Sequence, residues 1–338
     1  MKKFLALVMG VAAALMLGAP QAVAYLGEGN DGDSARSAYV IDSVADLTLL
    51  RSRLASGMEP DGKHYRLGAD IDISSEMGWI PIGTAEHPFN GHLHGDGRTI
   101  RVDIDRGGED AGLFGTVGGS LGNAIRDLTV TGTVRGRRAG GIAVSLERMT
   151  IQGCTFNGTV EGDGRAGGIV ATLGRDGSID GCSFSDTVRA SGASSAAGGI
   201  AGQNGYSVRR CTVSSGSTVS ASGKWSAAGG IVGITGYETG VWGCVSHASI
   251  EDAAHRGGIV GVLEIRSGSI HDNTYTGADR EIGHVSELEL DDGPSTIEEI
   301  SDVMCGPEGE GGLCDAGAGS LCLFALGGLM ALMSAKRP

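Results

Sequence analysis

Aromatic and basic residues are scarce in this chain. Phe, Tyr and Trp make up 4% of the 338 residues, and 26 Lys and Arg stand against 40 Asp and Glu, for a formal net charge of −14. A nucleic-acid-binding face needs clustered positive charge to neutralise phosphates. The charge balance therefore predicts no nucleic-acid partner, and it argues against electrostatic docking on an anionic membrane.

The chain also lacks the residue spacings that mark metal and cofactor sites. None of the eight histidines lies in a His-Glu-x-x-His sequence, and no Cys-x-x-Cys pair occurs. Matches to a nucleophile elbow at 118–122 and to a dinucleotide fingerprint at 162–167 are expected by chance at this glycine content. These absences predict no metal, no cofactor and no catalytic residue, and hence a protein that is not an enzyme.

Glycine is abundant, at 61 residues, and its placement narrows the fold class. The glycines have no three-residue period, which excludes collagen. Ile, Val and Leu recur at fixed places, which disfavours a disordered low-complexity chain. A fold with many tight corners and small side chains remains.

Two short phrases recur through residues 112–285 with a period of roughly 26 to 33 residues. Gly-Gly-Ile occurs at 140–142, 167–169, 198–200, 229–231 and 257–259. In the second phrase an Ile or Val is followed three positions later by a cysteine, at Cys154, Cys182, Cys211 and Cys244. This period is typical of a solenoid, in which each unit buries its apolar side against its neighbours.

Within a repeat, side chains follow the two-residue rhythm of a β-strand, so Cys154 and Phe156 share one face. Ile151 lies three positions before Cys154, so the chain must bend between them to keep both inside. Glycine at 153, 181 and 243 suits a corner with positive φ. The sequence therefore predicts an all-β fold, a parallel β-solenoid of about six coils with inward columns of Ile/Val, Cys and Phe/Val.

The residues before the repeats follow a different pattern. Ser43 precedes leucines at 47, 50 and 54, with Asp46 in the first turn, which predicts a short capped helix ending near Gly57. Strand-like alternation follows. We predict that residues 25–111 form an N-terminal cap and the first coils, with the helix covering an open edge of the solenoid.

Residues 40–283 resemble the GLUG-repeat proteins of bacteria, whose signature is Gly-Gly-Leu/Ile-Val-Gly. The best copies lie at 229–233 and 257–261. The leader motifs of that family occur here in the same order, at 46–47, 70–73, 79–83, 89–100 and 112–115. The resemblance implies a right-handed parallel β-helix, found in adhesin-like surface proteins and as an accessory region of some secreted peptidases. It assigns Asp70 and Asp72 to a structural leader and implies no active site.

Both ends of the chain predict export. A basic start, an apolar run and an Ala-x-Ala sequence at 22–24 predict a signal peptide over residues 1–24. An acidic linker at 286–310 leads to residues 311–338, where Cys314 precedes an apolar run and a basic end. This tail resembles the C-terminal sorting signals described in Synergistes relatives, with a plain membrane anchor as the alternative. Either interpretation predicts a location at the cell envelope, and the resemblance implies the surface or outer envelope of a Gram-negative-type bacterium.

The four repeated cysteines have two interpretations. They form either a structural column of small buried residues or disulfides between adjacent coils, since an exported protein permits both. Leu128 and Asn273 take the equivalent places at the two ends of the column, which favours packing. Metal ligation is disfavoured because the four lie in a line and not in a tetrahedron. Cys305 and Cys314 are close enough in sequence to bridge, and the alternative is that Cys314 is the modified residue of the sorting tail.

Candidate ligand-binding residues are few. Trp225, Tyr237 and Trp242 fall in one repeat and could stack on sugars, with packing at loop bases as the alternative. His92 and His94 share a strand face, where we expect them to face solvent.

These observations predict an exported, non-catalytic cell-surface β-solenoid that acts as an adhesin or as a structural or display protein. The predicted partner is an unknown glycan or a host or matrix protein, and the C-terminal tail holds the protein at the cell envelope. The alternative is a carbohydrate-active β-helix enzyme or a carbohydrate-binding accessory module, which carboxylates clustered in one groove would favour.

Overall fold

The computed structural model describes residues 30–236, 239–264 and 269–286. The predicted signal peptide, the acidic linker beyond its first residue, the C-terminal tail with Cys314, and Tyr237 lie outside the described residues. Within those ranges no helix is long and apolar enough to cross a membrane.

The leading part of the solenoid, residues 39–118, contains the single α-helix of the described ranges. This leading part starts after a 3-10 turn at Ala35–Ser37 and comprises β1 (Tyr39–Ile41), α1 (Val44–Ala55), β2 (His64–Leu67), β3 (Ile71–Asp72), β4 (His92–His94), β5 (Thr99–Asp105) and β6 (Phe114–Gly118).

The repeat part, residues 124–286, contains strands and tight turns. Its strands are β7 (Ala124–Arg126), β8 (Thr129–Gly140), β9 (Ala143–Glu147), β10 (Thr150–Gln152), β11 (Thr155–Gly167), β12 (Val170–Leu173), β13 (Ser178–Asp180), β14 (Ser183–Ala190), β15 (Ala196–Gly198), β16 (Ala201–Asn204), β17 (Ser207–Arg209), β18 (Thr212–Val213), β19 (Thr218–Ala221), β20 (Ala227–Gly229), β21 (Val232–Thr235), β22 (Gly240–Trp242), β23 (Val245–Ser246), β24 (Ser249–Glu251), β25 (His255–Gly257), β26 (Val260–Glu264), β27 (Ser269–His271), β28 (Thr274–Tyr275) and β29 (Ile282–Ser286).

All pairings between these strands are parallel, and they form three sheets around one core, which confirms the predicted β-solenoid. Sheet A stacks nine strands in the order β1-β2-β4-β7-β10-β13-β17-β22-β27. Sheet B contains 13 strands, among them β5, β8, β11, β14 and β19, and sheet C stacks seven strands from β6 to β29. Each coil of the repeats visits sheets A, B and C in turn.

The number of coils is larger than predicted. Sheet A has nine strands, so the expectation of about six coils was too low. Six of the nine belong to the repeats, and β1, β2 and β4 add three more whose sequences do not match the repeat. With rungs spaced about 4.8 Å apart, the stack is about 38 Å long.

The inward columns follow the predicted register. Ile151 pairs with Ile125 on one side and Ile179 on the other, and Phe156 pairs with Phe184. These side chains are fully buried, and the two phenyl rings stack 6.2 Å apart and 4° from parallel. Residues at the same position of successive coils therefore pack on their own equivalents.

The corner before each cysteine has the left-handed backbone that the sequence predicts. Gly153, Gly181 and Gly243 have φ values of 61°, 61° and 63°. At the same corner of another coil, Arg210 adopts φ 52° without being glycine. The left-handed corner is therefore a property of the coil, and glycine is the residue that adopts it with least strain.

The Gly-Gly-Ile phrase marks a second corner, between sheets B and C. A Cβ on Gly168 would lie 2.1 Å from the carbonyl oxygen of Gly199 and 2.4 Å from Cδ2 of Phe184. The equivalent Cβ on Gly141 would meet the Gly168 carbonyl oxygen at 2.2 Å. The second glycine of each pair is required because the next rung and an inward side chain occupy the space that a side chain would need.

Helix α1 forms where predicted and occupies one end of the stack. The Ser43 Oγ accepts a hydrogen bond from the Asp46 backbone N at 3.3 Å, and Leu47, Leu50 and Leu54 are buried in the core. The helix connects β1 directly to β2, so it takes the place that sheets B and C occupy in later coils. It thereby closes the N-terminal end of the core, as a capping element of a solenoid must.

The four repeated cysteines form a continuous buried column. Cys154, Cys182, Cys211 and Cys244 are fully buried free thiols. The Cys182 Sγ donates to the Ile151 carbonyl oxygen at 3.5 Å, and burial together with the neighbouring thiols raises its pKa. At one end the Asn273 side chain accepts from the Cys244 backbone N at 2.9 Å and donates to the Val241 carbonyl oxygen at 3.0 Å, closing the column with polar contacts.

Candidate functional site

A groove runs along the outside of sheet B, where each coil bends. We call it the axial groove; it is lined by residues of β5, β8, β11, β14 and β19 and has a volume of about 480 Å³. Five rungs spaced about 4.8 Å apart make it about 19 Å long. Gly162 stands at the bend, and a Cβ there would lie 2.5 Å from the Arg165 carbonyl oxygen, so the concave wall depends on its missing side chain.

Alternating charges form the floor of this axial groove. Register pairing places Asp105, Arg135, Glu161, Arg189 and Ser220 in one outward column. The Arg135 Nε donates to the Glu161 Oε2 at 2.7 Å, which raises the pKa of Arg135, and an Arg189 guanidinium nitrogen lies 3.5 Å from the Glu161 Oε1. The charges of the floor therefore neutralise one another in part.

The ion pairs of the floor add little to the stability of the fold. The side chains of Arg135, Glu161 and Arg189 are between 35% and 57% exposed. Exposed pairs of this kind contribute at most about 1 kcal/mol each because water and salt screen them. Their main consequence is to hold several hydrogen-bonding groups in fixed places on an open surface.

Hydroxyl groups extend the polar surface of the groove and its margin. Ser191 Oγ donates to the Asp163 Oδ1 at 3.3 Å, and both residues line the groove. Beside the charged column, register pairing stacks a ladder of threonines at 133, 159, 187 and 218. The surface therefore presents hydrogen-bond donors and acceptors at regular intervals along the solenoid axis, one set for each rung.

The two aromatic candidates within the described ranges do not form one surface. Trp225 is 60% exposed in the loop after β19, three residues beyond Ser222 of the groove, with the Lys224 Nζ 5.2 Å from its ring centroid. Trp242 belongs to sheet A and stacks on His271 at 6.0 Å. Tyr237 lies outside the described residues. Trp225 alone therefore stays a candidate for stacking on a ligand near the groove.

The acidic pair of the leader makes local structural contacts. The Asp70 Oδ1 accepts from the Thr99 backbone N at 2.8 Å. The Asp72 Oδ1 accepts from the side chain and the backbone of Ser74, which lowers the pKa of Asp72. The match to a nucleophile elbow has Ser120 in a turn that leads to β7 and not to a helix.

Sequence reasoning missed the residues that line the groove, although a signal was present. Arg135, Glu161 and Arg189 each follow an inward valine of the repeat, so aligning the repeats would have shown charges of alternating sign at one outward position. The bend that makes this position concave could not be seen. In the described ranges no three His, Cys, Asp or Glu side chains are placed to hold a metal ion together.

Comparison with known proteins shows partial similarity only. The chain is 34% identical over 154 residues to halomucin of Haloquadratum walsbyi, which is 41% of this chain but 2% of that protein. It is 35% identical over 111 residues to a protein of Evansella cellulosilytica named as a candidate Gly-rich membrane protein, covering 30% of this chain and 12% of the relative. The chain thus spans a small part of both relatives. No family model matches the chain.

One solved structure shares the fold over most of the chain. A Bacteroides ovatus protein described as a candidate immunoglobulin A1 protease superposes with a TM-score of 0.59 at 23% identity, covering 78% of this chain and 85% of that one. The expectation that this chain is not an enzyme, which was drawn from the absence of familiar motifs, was wrong, because a protein named as a candidate protease has the same fold. Absence of familiar motifs does not exclude catalysis on this scaffold.

Proposed function

We propose that the protein is an exported cell-surface β-solenoid that binds an extended polar ligand along the axial groove, as an adhesin or a display protein does. The observation that carries this proposal is the continuity of the groove across β5, β8, β11, β14 and β19. A compact substrate would need a closed pocket, whereas an open channel of regularly spaced polar groups suits a linear glycan or a peptide strand.

The chemistry of the groove supports a polar ligand. Its floor presents carboxylates and guanidiniums whose charges are partly paired, and its walls present serine hydroxyls. Such groups exchange hydrogen bonds with sugar hydroxyls or peptide groups at little cost in desolvation, because they stay accessible to water in the free protein. Affinity would then come from many weak contacts repeated along the axis.

Location at the cell surface is supported by the sequence of both ends. The signal peptide and the tail that contains Cys314 predict export and retention at the envelope. The name of the Evansella relative includes the word membrane, which agrees with this location. The GLUG resemblance, the sorting signal and the Gram-negative-type envelope stay predictions.

Hydrolysis of a bound polymer is the second candidate function. The groove gathers Asp105, Glu161 and Asp163 around one channel, the feature that favours a carbohydrate-active enzyme or a carbohydrate-binding accessory module. The Bacteroides structure with the same fold is named as a candidate protease, so peptide substrates belong in the same test.

The test is to pass the full chain over an array of glycans, matrix proteins and immunoglobulin A, measuring both retention and released fragments. The groove variant R135S/R189S should lose retention, because it removes both guanidiniums of the floor. A matched control is R175S/R256S, which removes the same charge from exposed positions that do not line the groove. Retention that is equal in both variants would contradict the groove as the binding site, and fragment release would establish the second candidate.

A further inference from the structure

A second group of polar side chains lies on the outer face of sheet A, where the leading part joins the repeat part. Register pairing places Arg66, His94 and Arg126 in one outward column, and His64 beside His92 in the next. We call these five residues the imidazole–arginine patch. It lies on a different sheet from the axial groove and is independent of the function proposed for that groove.

The three imidazoles contact one another across two rungs. The His64 Nδ1 lies 3.2 Å from the His94 Nε2, and the rings of His64 and His92 stack with centroids 4.0 Å apart. Burial lowers the pKa of His92 to about 4, with added repulsion from His64, His94 and Arg126. The His92 ring is therefore neutral at pH 7, and the positive potential of the patch comes from its guanidiniums.

The two arginines of the patch are unlike those of the axial groove. Arg66 and Arg126 are exposed, and neither forms an ion pair with any carboxylate in the described ranges. Lys63, which precedes His64 in the sequence, forms an ion pair with Asp33. Arg66 and Arg126 stand on either side of the His94 imidazole in one column, so two positive groups without a carboxylate partner in the described ranges and a ring nitrogen face an anionic ligand together.

A metal ion is a poorer fit to the same residues. Arg66 and Arg126 stand one rung to either side of His94, so a cation bound to His94 would be repelled by both. No set of three metal-ligating side chains converges in the part of the chain that the structure describes. The stacked arrangement of His64 and His92 also points their ring planes along parallel directions and not towards one centre.

We propose that the imidazole–arginine patch binds the acidic groups of an extended polysaccharide, carried as carboxylates or sulfate esters. Arg66 and Arg126 lie two rungs apart, about 9.6 Å between backbones, which suits successive acidic groups on one chain. Each guanidinium can make a bidentate contact with a carboxylate or sulfate, and His94 between them can donate a hydrogen bond. Sugar hydroxyls would meet the remaining ring nitrogens.

Charge density favours a polysaccharide over nucleic acid. A DNA duplex carries one negative charge per roughly 1.7 Å of its axis, so most of its phosphates would find no positive partner on a chain of net charge −14. A polysaccharide with one acidic group every one or two sugars matches the spacing of the two guanidiniums. Compared with DNA, fewer of its charges would be left without a positive partner. At physiological salt, exposed charges more than about 8 Å apart are largely screened from one another. The net negative charge of the whole chain therefore does not cancel the attraction between the guanidiniums and an acidic group bound beside them.

The experiment measures binding of the full chain to dextran sulfate, polygalacturonate, uncharged dextran and duplex DNA by biolayer interferometry at two salt concentrations. We expect binding to dextran sulfate or polygalacturonate that weakens with salt, and a loss of at least about tenfold in R66S/R126S. H94Q should lose a smaller factor. Thermal unfolding of each variant checks that these exposed substitutions leave the fold intact.

The control variant is again R175S/R256S, which changes the net charge by the same amount. Equal losses in the two double variants would overturn the proposal, because the effect would then be one of total charge. Uncharged dextran binding as well as dextran sulfate would overturn it too, and so would DNA binding at least as tightly. A preference between dextran sulfate and polygalacturonate identifies which acidic group the patch takes.

Discussion

The leading part and the repeat part of this solenoid fill the same core in different ways. In the leading part, the Phe89 ring lies against those of Tyr65 and Phe114, with ring planes tilted by 52° and 49°. In the repeat part, Phe156 and Phe184 stack at 4°. Equivalent side chains on successive rungs can adopt one shared rotamer, whereas unlike side chains must interlock to fill the space between rungs.

The same contrast applies to the outer surface. In the repeats, arginines stand next to Glu161 and pair with it, so the axial groove is polar but partly neutral. Where the leading part joins the repeats, Arg66 and Arg126 flank a histidine and have no such partner in the described ranges. Parallel register stacks the residues at one position of the coil into a column. Their charges neutralise one another only where the sign alternates from coil to coil.

The largest expected effect comes from the glycine corner of the repeats. Gly168→Ala should lower the free energy of unfolding by at least about 3 kcal/mol, because the added Cβ would press on Gly199 and Phe184. Urea denaturation followed by far-UV circular dichroism measures the change. Gly164→Ala is the matched control, since its Cβ would meet only the Arg137 carbonyl oxygen at 3.6 Å. A loss of similar size in both variants would show that close packing is not the cause.

A smaller effect is expected in the cysteine column. Cys182→Ser should cost about 1–3 kcal/mol and more than Cys182→Ala, because a hydroxyl at this fully buried place has to be desolvated. The unaltered chain should show no change in its thermal unfolding midpoint when dithiothreitol is added. A midpoint that falls with reductant would instead establish disulfides between adjacent coils.

The helix cap tests the leading part alone. Ser43→Ala removes the acceptor for the Asp46 backbone N and should cost about 1 kcal/mol of unfolding free energy. Ser56→Ala, just beyond the helix C-terminus, is the control, because its Oγ only donates to a carbonyl of the helix. A loss from Ser43→Ala that merely equals that of the control would argue against the cap as the determinant of the helix start.

The smallest effect is expected for the charges of the groove. Glu161→Gln should change stability by less than about 1 kcal/mol, since its partners are exposed and screened. The difference from the unaltered chain should shrink further as sodium chloride is raised. A loss of several kcal/mol would mean that the ion pairs hold the fold together and are not chiefly a binding surface.

Much of the fold could be predicted because the structure of each repeat depends on short-range sequence patterns. Strand alternation placed Cys154 and Phe156 inside, and the three-residue step from Ile151 predicted a corner whose φ the structure confirms at Gly153. The leading coils were undercounted since Tyr65 and Leu93 fill one column without repeating a phrase. Non-identical residues that fill equivalent places leave no periodic signal.

Sequence reasoning could reach the candidate sites only in part, because an alignment of the repeats shows the alternating charges but not the contacts that strand register creates. His92 and His94 were noted as neighbours on one face, but the contact with His64 depends on the register between β2 and β4. Arg135 and Glu161 likewise meet only through the pairing of β8 with β11. Register across a loop of variable length cannot be read from spacing alone.

By itself, the sequence determined that the chain is a parallel solenoid with a capped helix in its leading part and small-residue corners. Those features depend on residue type at short range, where sterics and alternation act directly. The tertiary structure decided the number of coils, the concave bend of sheet B and which arginines find a carboxylate. Those depend on which rungs become neighbours, and stacking brings together residues about thirty positions apart in the chain.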